Sequence, residues 1–208
     1  RMNPHHLISI AGLSAGQFSH LLDSAQALRP DALGGARHRT ALAGKTVCTL
    51  FFEPSTRTRS SFQLAAARLG AEVLNFDAGS SSANKGETAI DTLRNLEAMG
   101  VDCFVVRTGV DGELQALAEA AKPGTHFINA GDGRSNHPTQ ALLDMLTIRQ
   151  HKGPDFSGLK IVIAGDILHS RVARSDLQAL KQLGCGEIRV CGPDNLMPAD
   201  GTLSGCKR

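Results

Sequence analysis

The chain has 208 residues, 41% of them apolar and 20% charged, with a formal net charge of +2. That charge is too weak to point to nucleic acid or an anionic membrane as a partner, and no apolar run approaches the length of a membrane span. The length allows one large domain, or one domain and part of another.

There is no Trp and no Tyr, so the core has to be built from Leu, Val, Ile, Ala and Phe. No apolar leader follows Arg1–His6, and no secretory signal is expected. The five cysteines, Cys48, Cys103, Cys185, Cys191 and Cys206, are odd in number and show no C-x2-C spacing. They are expected to be buried free thiols in a reducing, cytoplasmic setting.

In chain order, Leu13 to Leu28 reads as an amphipathic helix with Ser14 as N-cap and Pro30 as its end. Asp31 to Gly44, rich in Gly and basic residues, reads as a loop. An alternation then begins. Thr46–Phe52, Glu72–Phe76, Cys103–Arg107 and His126–Asn129 read as strands. Ser60–Leu69, Thr88–Met99, Glu113–Ala121 and Pro138–Gln150 read as the intervening helices, with glycines or Pro123-Gly124 as stops. Strands that are apolar throughout and alternate with helices predict a parallel sheet covered on both faces.

Residues 151–158 look like a linker around Gly153-Pro154. A second unit follows, with strand 159–164, helix 170–183 and strand 187–191. One βαβ unit cannot close a core by itself. The fold expected is therefore α/β with two parallel-sheet domains, 1–150 and 151–208, the second incomplete.

Ligands of open parallel sheets bind beyond the carboxyl ends of the strands. The four segments there are 53–59, 77–87, 107–108 and 130–140, all rich in Ser, Thr, Arg, Lys, His and Gln. In the first, Ser55-Thr56-Arg57-Thr58 leads from a strand into a helix. Free amides at a helix start, hydroxyl donors and a guanidinium fork suit a phosphate; the plain alternative is a helix cap with solvated arginines. No G-x-x-x-x-G-K-[ST] occurs, which argues against a nucleotide P-loop, and Gly165-Asp166 lacks the G-x-G-x-x-G of a dinucleotide site. His137 and Gln140 are three apart, on one helix face, and Pro138 suits the first helical position. Asp166, His169 and His137 lack a compact metal-ligand spacing.

Phe52-Glu53-Pro54-Ser55-Thr56-Arg57-Thr58-Arg59 resembles the carbamoyl-phosphate signature of the aspartate and ornithine carbamoyltransferases. Asn129-Ala130-Gly131-Asp132-Gly133 with His137-Pro138-Thr139-Gln140, and Gly165 to Ala173, resemble two further family segments in the same order. Glu53 leans toward the aspartate branch, since the ornithine enzymes more often have Lys there.

The resemblance implies carbamoyl transfer from carbamoyl phosphate to the L-aspartate amine, a step toward pyrimidines, with no cofactor and no metal. It implies that Ser55, Thr56, Arg57, Thr58 and Arg107 hold the phosphate. Thr58, Arg107 and a neutral His137 would reach the carbonyl oxygen, and Gln140 the carbamoyl amide. Ser81 and Lys85 would enter a neighbour's site within a homotrimer, Lys85 also contacting aspartate. Arg171 would bind the α-carboxylate, and Glu53 would pair across the domain cleft on closure. A larger assembly with regulatory or dihydroorotase-like subunits is compatible with this. The family's later aspartate-binding segments do not occur in these residues. Ornithine or another amine as acceptor, or a non-catalytic carbamoyl-phosphate-binding homologue, are the alternatives.

Overall fold

The computed structural model describes residues 6–32, 40–77 and 88–208, which group into two compact units: 6–8 with 28–133, and 9–27 with 134–208. In chain order the strands are β1 (His6–Leu7), β2 (Thr46–Phe51), β3 (Glu72–Asp77), β4 (Cys103–Thr108), β5 (His126–Asp132), β6 (Lys160–Ala164) and β7 (Glu187–Cys191). The helices are α1 (Ala15–Ala32), α2 (Thr56–Arg68), α3 (Ala89–Ala98), α4 (Glu113–Ala120), α5 (Pro138–Lys152) and α6 (Arg171–Gln182). No helix among the described residues is long and apolar enough to cross a membrane.

The first unit is a five-stranded, all-parallel sheet in the order β1-β5-β4-β2-β3. Its strands are apolar on both sides because both faces are covered. Cys48, Leu50, Phe104, Val106 and Phe127 pack on one face against Leu93 and Leu96 of α3 and Leu114 and Leu117 of α4. Val47, Phe51, Val105 and Ala130 pack on the other against Phe62 and Ala66 of α2. Burial pushes the Cys48 thiol up to about 12 and Cys103 up to about 11, so both behave as small apolar groups.

The start of α3 is fixed by a reciprocal capping box: Asp91 N–H donates to Thr88 Oγ1 (3.1 Å) and Thr88 N–H donates to the Asp91 carboxylate (3.1 Å). Thr88→Ala is expected to cost about 1 kcal/mol, read as a lower urea midpoint at constant slope.

The second unit pairs β6 with β7 in parallel. Helix α6 carries Ala173, Leu177 and Leu180 buried, and α5 contributes Ala141 and Met145. From the N-terminal segment come Ile10, Leu13, Phe18 and Leu22, all buried. Ser14 and Gln17 cap α1 reciprocally, at 2.9 and 3.2 Å, and the Gln182 amide donates to the carbonyls of Ile10 and Leu13 (3.2 and 2.7 Å).

Several expectations needed correction. Helix α2 starts at Thr56, four residues earlier than expected, because nothing after Pro54 breaks it and its polar first turn hides the apolar period. Helix α1 runs past Pro30 to Ala32; one lost N–H near the end of an 18-residue helix does not stop it. Strand β1 is too short for any periodicity to reveal. Strand β5 continues to Asp132 because Gly131 N–H is satisfied by Asn129 Oδ1 (2.7 Å) and Gly133 N–H by the Thr108 carbonyl (3.0 Å). Helix α5 reaches Lys152, shortening the linker. The tail does not end at β7: Val190 N–H donates to Lys207 O (2.8 Å) and Lys207 N–H to Ile188 O (2.9 Å). All five cysteines are free, but only Cys48 is fully buried, and Cys191 is exposed on the outward face of β7.

Candidate active site

In the first unit the carboxyl ends of β2 and β4 lie side by side, with Phe51 opposite Arg107 and Phe52 N–H donating to Arg107 O (2.8 Å). Ser55 occupies the N-cap of α2 in extended conformation, but its hydroxyl makes no capping bond. Thr56, Arg57 and Thr58 therefore form the first turn, where amides lack intrahelical acceptors and the helix dipole favours an anion. A plain cap would use the Ser55 hydroxyl, and this one does not. Arg57 is exposed. Arg59 is committed elsewhere: it lies 3.3 Å from Asp77 Oδ2 and 5.0 Å above the Phe51 ring. Of the two signature arginines, Arg59 is thus engaged by Asp77 and Phe51, and Arg57 is the exposed one in the first turn.

Arg107 sits where the β4–β5 register shifts between Val106 and Thr108, an irregularity that re-aims a side chain. Its Nε lies 2.7 Å from Glu53 Oε1, and its Nη1 donates to Ala130 O (3.3 Å). The guanidinium thus spans the turn after β2 and the end of β5. Glu53 is already paired inside its own unit. A Cβ on Gly109 would stand 3.3 Å from Glu53 Oε2, so that glycine leaves room for the carboxylate.

The Asn129–Gly133 segment is architectural. The fully buried Asn129 donates to Ile8 O (2.7 Å), tying β1 to β5. Gly133 has φ +49, and a Cβ there would meet Asp111 Oδ1 at 2.2 Å, so only glycine fits. Asp132 accepts from Gly112 N–H (3.4 Å), and burial raises its carboxyl above the usual range, Asp111 and Glu113 adding to the effect.

In the second unit His137 is the N-cap of α5 and Pro138 its first residue. The ring makes no cap bond; instead His137 N–H donates to Oγ of the buried Ser175 (2.8 Å). Thr139 Oγ1 lies 3.4 Å from His137 Nδ1. Gln140 Nε2 donates to Asp144 Oδ1 (3.1 Å). Arg171 opens α6, half-buried, behind the N-cap Ser170, whose hydroxyl accepts from Ala173 N–H (3.1 Å).

The structure thus brings Glu53, Ser55, Thr56, Arg57, Thr58 and Arg107 together in one unit and places His137, Gln140 and Arg171 in the other. Ser81 and Lys85 lie outside the described residues. Among the described residues no cluster of His, Cys, Asp or Glu is placed to hold a metal, and Asp166 and His169 pair with each other at 2.9 Å. Sequence reasoning quoted Asn129 only as part of a motif, without its tie to Ile8, and missed Ser175 and Asp144. Asp144 could have been found as the i+4 partner of Gln140; Ser175 carries no local signal.

Residues 5–150 match the family model for the aspartate/ornithine carbamoyltransferase, carbamoyl-P binding domain. The chain is 67% identical over 202 residues to the aspartate carbamoyltransferase catalytic subunit of Stenotrophomonas maltophilia (strain K279a), covering 97% of this chain and 64% of that protein. It therefore spans less than two thirds of that relative's length. Aspartate transcarbamoylase from Trypanosoma cruzi, solved with carbamoyl aspartate and phosphate, aligns with a TM-score of 0.87 at 35% identity, over 96% of this chain and 61% of that one. Ornithine carbamoyltransferase from Thermus thermophilus aligns with a TM-score of 0.83 at 31% identity, over 96% and 66%. The unused Ser55 hydroxyl, the open first turn of α2 and Arg107 beside it are thus features of a chain that belongs to the aspartate/ornithine carbamoyltransferase family.

Proposed function

We propose that the chain binds carbamoyl phosphate and, as part of an aspartate carbamoyltransferase, passes the carbamoyl group to the L-aspartate amine. N-carbamoyl-L-aspartate and phosphate are the products, in de novo pyrimidine synthesis. The observation that carries this is the start of α2, where a free N-cap hydroxyl, open amides and Arg57 sit one strand away from Arg107. The 67% identity to a catalytic subunit named for aspartate supports aspartate as the acceptor.

In this reading the amine attacks the carbonyl carbon and phosphate leaves, with no covalent intermediate on the protein. Catalysis is positioning and stabilisation of charge that develops on the carbonyl oxygen. Ser55, Thr56, Arg57 and Thr58 hold the phosphate. Arg107 neutralises it, and Thr58 and Arg107 also serve the carbonyl oxygen. His137, at a positive helix end that disfavours imidazolium, donates from a neutral ring. A Thr139 hydroxyl directed at Nδ1 would leave Nε2–H as that donor. Gln140 takes the carbamoyl amide and Arg171 the α-carboxylate. Glu53 exchanges Arg107 for a partner on closure. Ser81 and Lys85 act from a neighbour.

We assign carbamoyl-phosphate binding to 1–150, where the family match lies, and the start of an amino-acid-binding domain to 151–208. The working form is a cytoplasmic homotrimer; a sedimentation mass equal to the 21.9 kDa monomer at working concentration would count against it.

The test is paired. Calorimetric titration with carbamoyl phosphate should show saturable binding, and N-(phosphonacetyl)-L-aspartate should bind more tightly than phosphonoacetate. Equal affinity for an ornithine-based analogue would shift the assignment to the ornithine branch. No binding of carbamoyl phosphate would end it.

A further inference from the structure

Arg59 stands one turn into α2, directly after the N-cap: its N–H donates to Ser55 O at 3.1 Å. Residues four apart share a helix face, and helical side chains lean toward the N-terminus. An Arg59 side chain following that lean would bring its guanidinium to the open first turn, where an anion is favoured. It is held elsewhere. Nη2 lies 3.3 Å from Asp77 Oδ2, and the guanidinium carbon stands 5.0 Å from the centre of the Phe51 ring.

The seat that holds it is a cross-strand pair. Phe51 and Asp77 stand opposite one another at the ends of β2 and β3. A second rung fixes the same helix to the same strand. Gln63, four residues after Arg59, donates its Nε2 to Asn75 Oδ1, and the fully buried Thr49 donates its hydroxyl to that oxygen (2.8 Å). Asn75 lies two residues before Asp77, on one side of β3. The seat does not satisfy Arg59 fully: its Nε is shut off from solvent and meets no acceptor among the described residues. One carboxylate and one ring therefore keep the guanidinium off the helix start.

We propose that Asp77 is a specificity-determining residue: by holding Arg59 against β3 it tunes the first turn of α2 for a phosphoryl group joined to a neutral carbamoyl group. Pyrophosphate offers the same phosphoryl group joined to a second, charged one. A released Arg59 would balance that further charge, and a seated one does not. Glu53 does similar work one strand away, lying 2.7 Å from Arg107 Nε. Carboxylates at the ends of two strands thus trim the positive charge around one anion site. This rests on the reading of that turn as the phosphate site.

The measurement is the affinity ratio of inorganic pyrophosphate to carbamoyl phosphate, by competition titration at fixed pH and ionic strength and without divalent cations. Asp77→Asn keeps the shape of the side chain and removes its charge. The ratio should rise roughly three- to tenfold, the effect of one charge-assisted contact in a partly exposed site. Asp77→Glu keeps the charge and should stay near the parent ratio. Arg59→Gln should also stay near it, since the seated guanidinium does not reach the ligand. The double variant Asp77→Asn with Arg59→Gln should return to the parent ratio.

A merely structural loss at the β3 edge would weaken both ligands together and leave the ratio still. An unchanged or lower ratio in Asp77→Asn overturns the proposal, as does a rise in Asp77→Glu or one that survives in the double variant. Failure of the parent chain to bind carbamoyl phosphate overturns the functional reading itself. Carbamoyl phosphate bound by the parent with no change of ratio in Asp77→Asn overturns the role of Asp77 alone.

Discussion

Arg107→Ala should weaken carbamoyl-phosphate binding by about 30- to 5000-fold, the cost of about 2–5 kcal/mol expected when one partner of a desolvated charge pair is truncated. The size comes from two effects that add. The first is loss of a guanidinium at the junction of β2, β4 and β5, where its side chain is only 16% exposed. The second is what remains. Glu53 Oε1 lies 2.7 Å from Arg107 Nε, and without the arginine its carboxylate loses that ion pair while facing an incoming dianion. A double variant that also carries Glu53→Gln should therefore recover part of the loss, and the coupling in that cycle measures the repulsion. Arg57→Ala, at an exposed position, should lose less, roughly tenfold. Calorimetric titration of the parent, Arg107→Ala, Glu53→Gln, the double variant and Arg57→Ala with carbamoyl phosphate decides it. If Arg107→Ala binds within threefold of the parent chain, the phosphate is held elsewhere.

The parts of this site that could be read from sequence are those whose cause is local. The Ser-Thr-Arg-Thr run announces a polar turn after an apolar strand, and it is found there, although the helix begins at Thr56 and not at Ser60. Pro138 marks the first turn of α5 for a similar reason: its missing N–H costs nothing there. Apolar runs such as 46–51 and 103–108 disclose a two-sided parallel sheet because both faces are buried.

What stayed hidden depends on residues far apart in the chain. The Glu53–Arg107 pair needs β2 beside β4, an order that alternation alone does not dictate. The register shift at Arg107 is a property of a strand pair and leaves no mark in either strand. The seating of the His137 amide on Ser175, 38 residues later, follows from how α5 meets α6. Arg59 closes the recognisable signature and receives no role from sequence; its guanidinium serves Asp77 and Phe51, so membership of the motif does not specify a residue's work. The coarse α/β reading survives because periodicity determines it; the charge network does not, because pairing determines that.

The sheet that presents these loops should be sensitive to its aromatic centre. Phe104 is fully buried, its ring 5.5 Å from that of Phe127 and stacked at 21°, with α3 and α4 closing over both. Phe104→Ala should cost about 3–5 kcal/mol, the sum of lost transfer energy and an unfilled cavity between a sheet and two helices that cannot both collapse onto it. Phe104→Leu keeps most of the volume and should cost about 1 kcal/mol. Because the described residues form two compact units, a single unfolding free energy for the whole chain is a poor measure. Amide exchange reports each unit by itself. Protection of the β2, β4 and β5 amides should drop by about two to four orders of magnitude in Phe104→Ala and by about tenfold or less in Phe104→Leu. The β6–β7 amides serve as the internal reference. A loss below tenfold at the β4 amides in the alanine variant would mean that Phe104 does not anchor the strand that delivers Arg107 to the site.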